Sequence, residues 1–133
     1  MRTITSHVVN PANDRLKITV HDEPGPGGAN HEYTISLDDV DDPLRDGHPG
    51  QPRVLCRLMF QNGPINADGN GVNGITHEAL IAILMDRLMA FQAGPYANDY
   101  NATALSSLGV AQLALQSRTK ERMARGVEGT HKV

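Results

Sequence analysis

The 133-residue sequence holds one cysteine, two phenylalanines and no tryptophan. A lone cysteine, Cys56, leaves no internal disulfide and no multi-cysteine metal site, so a reducing, cytoplasmic setting is expected. No apolar run approaches the roughly 18 residues that a membrane span needs. The opening "MRTITSHVVNPAND" lacks the apolar core of a secretory leader. Histidines at 7, 21, 31, 48, 77 and 131 show no HxxxH or comparable spacing, and no metal is expected. Ser106 and Ser107 lie outside any nucleophile-elbow pattern. "ADGNGVNG" is followed by no GK[ST], and no two carboxylates stand out as an acid–base pair. With no catalytic residue or cofactor to nominate, the chain reads as a binder, not an enzyme.

What is present begins with charge. The net value is only −3, yet it is unevenly spread. Residues 22–46 carry eight acidic groups against Arg45 alone, whereas residues 117–133 carry five basic groups against Glu121 and Glu128. The basic end predicts an anionic partner. It is too local for a duplex-DNA surface, and no nucleic-acid partner is expected.

The first half alternates as strands do. Leu16, Ile18 and Val20 share one face of "RLKITVH", and Tyr33, Ile35 and Leu37 one face of "EYTISL". The turn formers of "DEPGPGGANH" make these two antiparallel strands. "RVLCRLMFQ" is a third, with Val54, Cys56, Leu58 and Phe60 on one face, and "TITSHVV" is a candidate fourth. Between the second and third lies an acidic connector, "LDDVDDPLRDGHPGQP".

After the turn-rich "NGPINADGNGVNGIT" the period changes. "THEALIAILMDRLMAFQ" opens on a Thr76 cap and carries Leu80, Leu84, Leu88 and Phe91 along one helix face, with Ile81, Met85 and Met89 beside it. "AGPY" ends it. A longer helix starts near Asn98 or Asp99, packs through Leu105, Leu108, Leu115 and the small Ala104, Gly109 and Ala111, and ends at Gly126. The fold class is therefore α+β: an N-terminal antiparallel sheet followed by a C-terminal antiparallel two-helix hairpin. Length predicts one domain over 1–133, with a strand-rich part at 1–62, the hairpin at 75–125 and a tail at 126–133. The apolar stripe of the first helix is wider than one neighbour covers, which predicts a homo-oligomer.

"SRTKERMARG" places Arg118 and Arg122 four residues apart, one turn along a helix, with Arg125 extending the row. Two readings stand at this point. The arginines are a solvated helix end complementing the dipole, or a pair of guanidinium forks for a phosphate or pyrophosphate. If Tyr96 or Asn101 serves the same ligand as Arg118, one chain cannot supply both, because seventeen residues of helix span roughly 25 Å.

"FQNGPI" (60–65), "GVNGITHEALIAILMDRL" (71–88), "FQAGPYAND" (91–99) and "RTKERMARGVEGTH" (118–131) together resemble the phage Thoeris anti-defence type 1 proteins. Those share a helical hairpin with the phage anti-CBASS cyclic-oligonucleotide sponges. The resemblance implies a protein of the host bacterial cytoplasm that binds cyclic ADP-ribose isomers made by TIR-domain enzymes and holds them uncleaved. It implies pockets between subunits of a dimer or hexamer, and in some relatives further sites for cyclic di- or trinucleotides. By motif it puts Arg118 and Arg122 on ligand phosphates, Phe91, Tyr96 and Asn101 against adenine and ribose, and Phe60 and Gln61 along the site. Tyr100 and Asn98 depart from the family pattern. The alternatives are a sponge mainly for cyclic oligonucleotides, a hydrolase of the same signal, and a non-enzymatic module whose basic tail binds an acidic partner or its own loop at 38–46.

Overall fold

A computed structural model describes residues 1–37, 53–65 and 71–133. The acidic connector, with its 38–46 segment, lies outside the described residues, as does the middle of the Gly/Asn-rich loop. The described residues form two compact units, Met1–Asn62 and Gly63–Val133.

The first unit is a four-stranded antiparallel sheet in the order β1-β2-β3-β4, made of β1 (Arg2–Ile4), β2 (Leu16–Val20), β3 (Glu32–Leu37) and β4 (Arg53–Met59). Alternation sets its register. Ile4, Ile18, Ile35 and Cys56 line up across the four strands, and Val20, Tyr33 and Leu58 form the next row. Val54 departs from the expected face. A register shift between Ile35 and Ser36 pairs Val54 with Ser36, on the polar side, because a bulge moves the rest of β4 by one residue. The short α1 (Pro11–Asp14), capped by Asn10, is too short to carry a sequence period. Asp22 closes the long β2–β3 loop: its carboxylate accepts the N–H groups of His31 and Glu32. Gly25 is required there, since a Cβ would come within 2.5 Å of the His31 ring.

The second unit is the helical hairpin of α2 (His77–Gln92) and α3 (Asp99–Ala124). Thr76 caps α2 through the Ala79 N–H, as the sequence predicts, and Asn98 caps α3 through the Asn101 N–H. The helices run antiparallel: the Gln112 side chain reaches the Glu78 carbonyl, and Gly109 faces Met85. The seam is displaced from the expected stripe. On α2 the less exposed residues are Leu80, Ile81, Met85, Leu88 and Gln92, with Glu78 in the first turn, so Leu80 and Leu88 of the expected stripe are covered while Leu84 and Phe91 remain 49% and 42% exposed. On α3 it is Leu105, Leu108, Gln112 and Leu115, and Ala104 and Ala111 stay exposed. Among the described residues, Val20 is the one fully buried apolar side chain. No described helix is long and apolar enough to cross a membrane.

Candidate functional site

Five of the seven nominated residues lie in the helical unit and two in the sheet unit. Phe60 follows β4, donates its N–H to the His31 carbonyl and stands edge-on to Tyr33, ring centroids 5.6 Å apart. Gln61, half-buried, comes next.

At one end of the hairpin Phe91 sits in the last turn of α2, with the Arg87 guanidinium 5.8 Å over its ring. Such a contact stabilises weakly at an exposed site, and it leaves much of the ring open. Tyr96 lies in the connecting turn and is 73% exposed. Asn101 begins α3, half-exposed, with its backbone N–H taken by the Asn98 cap. The turn is rigid because Gln92 and Asn98 clamp it reciprocally. Gln92 Nε2 donates to the Asn98 carbonyl, and the Asn98 N–H donates to Gln92 Oε1, both at 3.0 Å. Two residues not nominated from sequence thus hold the three that were. "FQAGPYAND" contains both, but nothing in a polar turn residue's type says which carbonyl it will meet.

The other end of α3 separates the two arginines. Arg118 is exposed. Arg122 is 7% exposed, and four of its N–H bonds are spent within the chain. Its Nε meets Glu128 Oε2 at 2.9 Å; its terminal nitrogens donate to the carbonyls of Val127, Thr130 and Lys132. The cause is length. Gln112 lies opposite Glu78, near the start of α2, so the last turns of α3 run on with no α2 beside them. Arg122 continues the seam row past that point, and the tail folds back to cover it. Gly126, at φ 73°, starts that return: its N–H bonds the Met123 carbonyl and the Val127 N–H the Arg122 carbonyl. Only glycine enters this left-handed position at little cost. Arg125 pairs with Glu121 one turn back.

The seam also fixes a flank. The residues just before Met85 and Gln92 are Leu84 and Phe91; those just before Leu105, Gln112 and Thr119 are Ala104, Ala111 and Arg118. In an antiparallel pair of same-handed helices these positions fall on one side of the seam. Phe91 and Arg118 therefore share a side of the hairpin but stand at its opposite ends, with exposed Leu84, Ala104 and Ala111 between them.

No protein-family model matches the sequence. Among curated proteins, the chain is 43% identical over 77 residues to Thoeris anti-defense 1 of Bacillus phage SBSphiJ7. Over that stretch the chain is similar to a Thoeris anti-defence protein. The match takes in 58% of this chain and 53% of the phage protein, so it spans about half the length of that relative. The Thoeris anti-defence resemblance read from the four motifs is thereby borne out.

Proposed function

We propose that this chain is a phage anti-defence protein of the infected bacterial cytoplasm that binds and sequesters cyclic ADP-ribose-type signals made against the phage, without cleaving them. The observation that carries the reading is the 43% identity to a Thoeris anti-defence protein. The hairpin supplies the physical support. It presents an open aromatic pair, Phe91 and Tyr96, at one end and, at the other end of an uninterrupted helix, the exposed Arg118 one turn before the tail-covered Arg122.

Asn101 and Arg118 are seventeen residues apart on α3, roughly 25 Å. A ring the size of a cyclic dinucleotide cannot touch both within one chain. A second copy, packed antiparallel over the Leu84–Phe91 flank, brings its Arg118 to Phe91 and Tyr96 and covers the apolar residues that a single hairpin leaves in water. The base stacks on the aromatics, the pyrophosphate bonds the arginines, and Asn101 reads the ribose or base edge. Binding must outcompete the host receptor, and nanomolar affinity corresponds to about −12 kcal/mol.

The test is calorimetric titration with a panel of cyclic ADP-ribose isomers and cyclic di- and trinucleotides, followed by heat denaturation and mass analysis of what is released. Tight binding of an ADP-ribose ring, recovered intact, is the expected result. Absence of heat with every ring, or a linear product, overturns it.

A further inference from the structure

The site at the end of α3 is already filled by the chain itself. Arg122 faces one carboxylate oxygen, Glu128 Oε2, through Nε alone, and its other bonds go to neutral carbonyls of residues 127–132. That is a monodentate ion pair in a fork built for two parallel bonds. Glu128 is 39% exposed on its side chain against 9% for Arg122, so water reaches the acid but hardly the base. The segment doing the covering is short. Beyond Arg122, the bonds that order it include the Gly126 turn, the Thr130 N–H on the Val127 carbonyl, and the Thr130 hydroxyl.

We propose that residues 126–133 are a displaceable latch, in which Glu128 stands in for a ligand phosphate on Arg122 and must leave when a phosphate binds. The inference rests on the reading of Arg118 and Arg122 as the phosphate grip. A phosphate offers two anionic oxygens to the fork where Glu128 offers one, and Arg118, exposed one turn away, adds a second cation that the tail does not use. The exchange releases the tail, which regains conformational freedom and offsets part of the lost carbonyl bonds. The latch keeps the guanidinium satisfied in the empty protein, since an unpaired buried cation is costly. It also selects against anions too small to reach Arg118, because those cannot repay opening the tail.

Two measurements on the whole protein test this. The first is hydrogen exchange of the amides of 127–133 with and without millimolar inorganic pyrophosphate. The second is the pyrophosphate affinity of Glu128→Gln and of a chain truncated after Gly126. The latch predicts that pyrophosphate strips protection from the tail. It predicts that both variants bind pyrophosphate at least about tenfold more tightly, the scale of one charge-assisted hydrogen bond no longer competing. Unchanged protection, or variants that bind no better than the parent, overturn it; if the truncated chain fails to fold, Glu128→Gln decides. Cyclic ADP-ribose separates the two ideas. If pyrophosphate opens the tail but no cyclic ADP-ribose isomer binds, the latch stands and the sponge reading falls. If an isomer binds while the tail stays protected, the sponge stands and the latch falls.

Discussion

The two units differ in what they take out of water. Among the described residues of Met1–Asn62 the withdrawn side chains are one aliphatic, Val20, and three polar groups, His31, Thr34 and Ser36; in Gly63–Val133 the one described side chain withdrawn to that degree is a cation, Arg122. A central strand finds neighbours on both sides, and its small polar side chains are enclosed by the rows beside them. His21, for instance, reaches Thr34 Oγ1 at 2.7 Å. Two helices touch along one stripe each, and everything outside the stripe needs a further partner. The sheet's inner strands are thus paired on both sides, although Val54, Leu55 and Met59 of β4 stay exposed, whereas the hairpin ends with an apolar flank and a guanidinium still to be satisfied. The tail supplies the second; we assign the first to another copy of the chain.

That contrast is breakable at several points. The largest effect is expected from Leu84→Glu, which puts a charge in the middle of the exposed flank. If a second copy docks there as proposed, sedimentation should show the parent at a multiple of the chain mass and the variant at the mass of one chain; a parent already at one-chain mass, or a variant that stays assembled, removes that docking. Next comes the split between the arginines. Arg122→Ala leaves the tail's carbonyls and Glu128 without their donor and should cost about 2–3 kcal/mol in denaturant unfolding. Arg118→Ala, at an exposed position, should stay within about 0.5 kcal/mol of the parent. Both should weaken cyclic ADP-ribose binding, so equal stability losses would mean that Arg122 is not the tail's anchor. Asn98→Ala removes the α3 cap and should cost about 1 kcal/mol; a larger loss would show how much the Gln92 clamp depends on it.

The smallest effect belongs to the sheet unit and to acid. Partial desolvation opposes the charge on Asp22, but the N–H groups of Glu32 and His31 outweigh it and hold the carboxyl below its usual range. As pH falls, the unfolded chain takes up this proton first. The stability that Asp22 adds is therefore complete above the unfolded value, near pH 4, and is lost as pH drops through the folded one. Asp22→Asn should flatten the decline in urea midpoint below about pH 4; an unaltered decline would remove Asp22 as its source.

Much of this was readable in order along the chain. Period two located three strands, because alternation survives wherever one sheet face is drier than the other; "TITSHVV" met the fourth, Arg2–Ile4, only at Thr3 and Ile4, and its remaining residues are not strand. Thr76, Asn98 and Gly126 marked helix ends, because capping is chemistry within a few residues. Which stripe of α2 meets α3 was not readable: Leu80–Leu84–Leu88–Phe91 and Ile81–Met85–Met89 are both apolar, and a helix with two such rows leaves the choice to its neighbour. The register shift beside Ser36 was equally silent, since one extra residue changes no composition.

The amino-acid order alone thus determined the α+β class, the element order, the caps and a family resemblance carried by local motifs, all of which depend on residues near one another in sequence. The tertiary structure decided that Arg118 is open while Arg122, four residues on, is enclosed, and that Gln92 and Glu128 are the groups holding the two ends of the hairpin. Spacing puts both arginines on one helix face. Only the folded chain shows that α2 stops short of Arg122 and that the tail, not solvent, takes its place.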